Sequence, residues 1–166
     1  NLTIIGLVSV LVVGSLLLWG GDGGSGEEGT TSPLSVHIEM EADTIASGEA
    51  LEGRVVVLNN TGRAIEVVGC GSLFQIALES DGVTQQVNWN DCLETFVVPS
   101  GQSSYPVTVY AHHLGCVRGP ASGAIVSCDD DGGMPSLPPR NYEAVALERS
   151  GVLPHAPPVH VAVSDR

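Results

Sequence analysis

The chain has 166 residues and a formal charge of -13, with 19 acidic side chains against six Arg and no Lys. That length suits one folded domain, and a 43% hydrophobic share with 15% charged residues is too apolar for a disordered chain. The acidic balance argues against nucleic acid as a partner, because phosphates would be repelled. The lack of Lys removes Schiff-base, Walker and Ser-x-x-Lys chemistry.

Residues 2 to 19 carry no charge, and Thr3, Ser9 and Ser15 are their only strongly polar side chains. Eighteen helical residues reach about 27 Å, close to the hydrocarbon thickness of a bilayer. Trp19 falls at the expected interface. Residues 1–19 are therefore expected to form one transmembrane helix. The run exceeds the usual signal-peptide core, and only Gly21 and Gly23 offer small residues at the spacing a signal peptidase needs, so an uncleaved anchor is expected. Residues 20–33 are rich in Gly, Ser and acids and read as a flexible linker. They contain no Lys or Arg, which places this flank, and the domain of residues 34–166, outside the cell membrane of a single-pass protein.

In that domain the apolar period is two. Leu34, Val36, Ile38 and Met40 alternate with polar residues and predict a half-buried strand. Leu51 to Leu58 follows, ending at a turn signal, Asn59-Asn60-Thr61-Gly62, which is formally also a glycosylation acceptor. Ile65 to Val68 returns from that turn. Leu73 to Leu78 and Val83 to Trp89 flank a hairpin signal at Ser80-Asp81-Gly82. Thr95 to Val98 and Tyr105 to Ala111 predict another pair, and Tyr142 to Leu147 and Val159 to Val163 two final strands. Seven to nine short strands with turn signals between them predict an antiparallel β-sandwich.

Cys70, Cys92, Cys116 and Cys128 all lie in the exported part, where an even count predicts two disulfides rather than a zinc site lacking close Cys pairs. Of three connectivities, Cys70 to Cys92 and Cys116 to Cys128 close the local loops. Trp89 is expected to pack on the first bridge with Phe74 nearby.

The succession Gly48-Glu49, Leu51, Gly53, Val55 to Val57, Asn59 to Gly62, Phe74-Gln75-Ile76 and Asp81-Gly82 before Trp89 resembles the BsuPI-type proteinase-inhibitor domain. Phe96, Val98 to Ser103, and Leu137-Pro138-Pro139 before Tyr142 continue the resemblance over most of residues 44 to 147. It implies an immunoglobulin-like sandwich, and the family's name implies protease inhibition. An anchor, two disulfides and an insertion from Gly115 to Gly133 depart from an intracellular inhibitor. The arrangement also looks like that of anchored extracytoplasmic proteins from GC-rich actinobacteria.

No nucleophile elbow, zinc-protease motif or phosphate loop occurs. His37 and His160 read as solvent-facing strand positions, and His112-His113 as rings on opposite faces. Asp129-Asp130-Asp131 lacks the alternating ligands of an EF-hand and reads as a solvated loop. The chain is therefore expected to have no enzymatic activity, metal or cofactor. The leading expectation is an anchored binding or structural module contacting a cell-envelope protein; the alternative is an anchored inhibitor of an extracytoplasmic protease. Trp89 and Arg118, the latter inside the Cys116 to Cys128 loop, are the partner-binding candidates.

Overall fold

The computed structural model describes residues 32–89, 92–121 and 125–165. The expected anchor, and the linker up to residue 31, lie outside the described residues. Those described form strands and loops without a helix. The strands are β1 (Leu34–Met40), β2 (Thr44–Ala46), β3 (Ala50–Asn59), β4 (Ile65–Gly69), β5 (Phe74–Ser80), β6 (Val83–Thr84), β7 (Glu94–Val98), β8 (Gly101–Tyr110), β9 (Cys116–Val117), β10 (Val126–Ser127), β11 (Arg140–Glu148) and β12 (Val159–Ser164).

A three-stranded sheet in the order β1-β3-β8 and a five-stranded sheet in the order β2-β12-β11-β5-β6 bury their apolar faces in one core. The predicted alternation sets those faces: Val36 and Ile38 of β1, Val55 and Val57 of β3, and Val107 and Val109 of β8 meet Ile76 and Leu78 of β5, Ala144 of β11 and Val161 of β12. Phe74 of β5 packs edge-on against Tyr105 of β8, with ring centroids 5.6 Å apart. Gly53 is required by close approach, since a Cβ there would lie 2.7 Å from the Met40 sulfur and 2.8 Å from the Glu39 carbonyl. On the outer face, Arg54 and His37 hold the Glu39 carboxyl below its usual pKa.

Pairing differs from the sequence expectation in several places. β2 runs parallel to β12, and β9 parallel to β10, so the molecule is not wholly antiparallel. Thr95 to Val98 does not pair with the strand that follows it: β7 pairs with β4, and β8 with β3. These two ladders follow one another, with Asn59 opposite Gly101 where one ends and Ile65 opposite Val98 where the next begins.

Asn59 holds the junction. Fully buried, it donates from Nδ2 to the carbonyls of Arg63, Val98 and Pro99 at 2.9, 3.3 and 3.1 Å, while Oδ1 accepts from the Thr61 N–H and hydroxyl. The acceptor-like Asn59-Asn60-Thr61 is thus a corner whose amide nitrogen is occupied.

The Ser80-Asp81-Gly82 hairpin forms with both central residues left-handed, Asp81 at φ 56 and Gly82 at φ 72. Its second strand ends at Thr84, however, so Val83 to Trp89 is not one strand. Trp89 is half-buried and outside the core cluster. The expected core shared by Trp89 and Phe74 is corrected accordingly: the Phe74 ring contact is Tyr105.

Cys70 is bonded to Cys92 and Cys116 to Cys128, with Cα atoms 5.3 and 4.9 Å apart. Cys70 is buried and Cys92 exposed.

Candidate functional site

Between β8 and β11 the chain makes a long excursion that is zipped at its base. Leu137 N–H donates to the Ala111 carbonyl and His113 N–H to the Pro135 carbonyl, each at 2.8 Å, and the Ser47 hydroxyl donates to the Leu137 carbonyl at 2.6 Å. This anchors Leu137 in the core. The excursion then passes beside β6, and a cleft of about 320 Å³ lies between them.

The cleft has an apolar floor and a polar rim. Leu78 of β5, Tyr142 of β11 and Leu137 are buried, while Val83 at the rim is 67% exposed. The Tyr142 hydroxyl donates to the Pro138 carbonyl at 3.0 Å, and burial holds this phenol above its usual pKa. Arg140 and Asp81 form an ion pair of 2.9 Å at the rim.

The wall is set by Gln85. Its backbone N–H donates to the Leu78 carbonyl as a continuing strand would, but its buried side chain turns inward. There Oε1 accepts the Leu78 N–H at 3.1 Å, and Nε2 donates to the carbonyls of Tyr110 and His112. One side chain therefore stops the hairpin ladder and ties the five-stranded sheet to the end of β8. Sequence reasoning missed Gln85, although a period of two sets it on the face of Val83, Val87 and Trp89, because nothing local shows which buried groups a polar side chain on that face would pair with.

Ser80, Asp81 and His113 all line the cleft without forming a proton relay. The Ser80 hydroxyl donates to Asp81 Oδ2 at 3.5 Å, the same oxygen that receives Arg140. Among the described residues no hydrogen bond joins the His113 ring to either. Burial, followed by the charge of His112, lowers the His113 pKa. His112 faces elsewhere: its ring packs on Tyr110 and its Nδ1 lies 2.9 Å from the His113 carbonyl.

Neither predicted partner residue lines this cleft. Trp89 follows Asn88, whose carbonyl accepts from Gln75 Nε2 at 2.9 Å and whose Nδ2 donates to the Leu114 carbonyl at 3.3 Å. Arg118 is exposed, and its Nη2 lies 3.5 Å from where a Gly132 Cβ would be, beside the Asp129 to Gly132 turn. That turn is self-contained, closed by Gly132 N–H to the Asp129 carbonyl and Gly133 N–H to Asp131 Oδ1, both at 2.8 Å. His37 and His160 are exposed on their strands. Among the described residues no three His, Cys, Asp or Glu side chains gather as metal ligands.

No known family model matches the chain, and no curated protein matches it. Among solved structures it is similar to a β-glucosidase from Erythrobacter marinus, at 14% identity and a TM-score of 0.47 over 79% of this chain and 15% of that one. It is similar also to a β-glucosidase from Listeria innocua in complex with gluconolactone, at 12% identity and a TM-score of 0.42 over 79% of this chain and 16% of that one. The chain thus spans 15% and 16% of the length of these enzymes.

Proposed function

We propose that this chain is a non-catalytic binding module of the cell envelope, an immunoglobulin-like sandwich held outside the membrane by an N-terminal single-pass anchor. The observation that carries this reading is the cleft beside β6. It is concave, floored by side chains rooted in the core, and bordered by a sheet edge. The buried amide of Gln85 in the cleft wall is committed to backbone groups.

The immunoglobulin-like assignment, and with it the BsuPI-type resemblance, is supported by the division of the first strands between two sheets and by Tyr142. Near the start of β11, this residue bonds a carbonyl four residues upstream, as a tyrosine corner does. Two disulfides support an oxidising compartment. The inhibitor alternative would use Arg118, which is exposed and lies along Gly132.

The test is in-cell photo-cross-linking. A photoreactive residue at Val83 should give one discrete adduct with another envelope protein, and a panel of proteases should keep full activity with the purified chain. Inhibition of a protease, relieved by Arg118→Ala, would favour the alternative. A reporter fused after Arg166 should be active only if it tolerates export; activity of a reporter confined to the cytoplasm would reverse the orientation.

A further inference from the structure

The free edge of the five-stranded sheet lies where the cleft opens. In the hairpin, Gln85 N–H bonds the Leu78 carbonyl, so the antiparallel alternation makes Glu79 and Thr84 a non-hydrogen-bonded pair. The N–H and C=O of Thr84 therefore point away from β5, and β6 is the last strand of its sheet. Thr84 and Gln86 are exposed. Long edges are usually blunted. On β8 the same alternation turns Ser104, Pro106, Thr108 and Tyr110 outward, and two of the four are blunted, since proline has no N–H and Gln85 covers the Tyr110 carbonyl. The edge at Thr84 has neither device.

The two faces beside that edge differ in chemistry. Inward, Val83 borders the apolar floor of Leu78, Leu137 and Tyr142. Outward, the Thr84 hydroxyl donates to Glu79 Oε2 at 3.0 Å, and Glu79 lies directly opposite Glu143 on β11. Two carboxylates in that relation repel. Neither forms an ion pair among the described residues, since the nearby Arg140 is engaged by Asp81.

We propose that an extended segment of a partner protein adds to β6 as a further antiparallel strand, with the pattern apolar, basic, apolar. Its central residue exchanges both backbone hydrogen bonds with Thr84, which turns that side chain outward, where a Lys or Arg meets the Glu79 carboxylate that Thr84 draws toward β6, with Glu143 adding negative charge behind it. The two flanking side chains then point inward and occupy the cleft. This inference rests on the binding-module reading and names the chemistry of its partner.

The test uses the full chain in detergent and a fluorescein-labelled peptide, Ser-Leu-Arg-Leu-Ser, followed by fluorescence polarisation. Saturable binding is expected, weakened about tenfold or more by methylating the Arg amide nitrogen, by exchanging Arg for Glu, or by inverting the pattern to Arg-Leu-Arg. Thr84→Pro, which removes an edge N–H the fold does not use, should weaken it by a similar factor. The N-methyl peptide makes the same test on the unaltered chain, so misfolding of the variant cannot decide the outcome. Absence of binding, or equal binding of the methylated and inverted peptides, overturns the proposal. A photo-cross-linker at His160 or Val97 separates this failure from that of the broader reading. A discrete adduct there with inert peptides rejects the β6 strand and keeps a module; no adduct at Val83, His160 or Val97 rejects both.

Discussion

Gln85 and Leu78 are joined twice, once by the backbone N–H of Gln85 to the Leu78 carbonyl and once by the Leu78 N–H to the Gln85 side-chain oxygen. The second bond replaces the rung a regular strand would supply, and the same amide reaches Tyr110 and His112. Gln85→Ala leaves the Leu78 N–H and two carbonyls without this partner, and is expected to cost about 2 to 4 kcal/mol. Gln85→Glu should do no better, because a carboxylate cannot donate to carbonyls. Urea unfolding at unchanged slope measures both.

Asn59 makes a second prediction at the opposite end of β3. Asn59→Ala strands carbonyls of both connecting segments and is expected to cost about 2 to 4 kcal/mol. Produced in a glycosylating host, the chain should carry no glycan at Asn59, which intact mass spectrometry reads directly.

Tyr142→Phe keeps the ring in the core and loses only the hydrogen bond to Pro138. The expected loss is about 1 kcal/mol, seen as a lowered unfolding midpoint. A loss below the error of the measurement would remove the tyrosine-corner support for the immunoglobulin-like reading.

The folded, unreduced chain should have no alkylatable thiol, and reduction should release four. Replacing Cys116 and Cys128 together by Ser should destabilise by about 3 kcal/mol, the loop-closure entropy of so short a ring. Peptide mapping without reduction checks the pairing.

Acidification should weaken the fold partly through His113. Its pKa is lowered in the folded state, first by burial and then by His112, so the fold prefers the neutral ring and the unfolded chain takes the proton more readily. The contribution is complete above the ordinary value of 6.5 and is lost as pH falls from there toward the folded-state pKa. Thermal unfolding followed on both sides of that value should show a smaller acid loss in His113→Asn than in the wild type. Equal losses would remove His113 as the source; a loss that begins only below about 4.5 belongs to carboxylates such as Glu39, whose folded-state pKa is lowered from that value.

Much of the architecture follows from the order of residues alone. A period-two pattern is local: whichever strand lies beside it, Leu34 to Met40 has one apolar face, and Asp81-Gly82 can turn the chain within two residues. Most of the longer strands, the hairpin and the local cysteine pairs were legible for that reason, whereas β2, β9 and β10, of two or three residues, are too short to show a period. Which strand pairs with which is not local. Thr95 to Val98 could have met Tyr105 to Ala111 across Pro99-Ser100, but the Asn59 corner directs it to β4. The cleft was hidden in the same way. The period of two puts Gln85 on the face of Val83 and Val87, but not its partners: the end of β8 brings two carbonyls within reach of its amide. That contact spans 25 and 27 residues of sequence, and only the closed tertiary structure places its partners together.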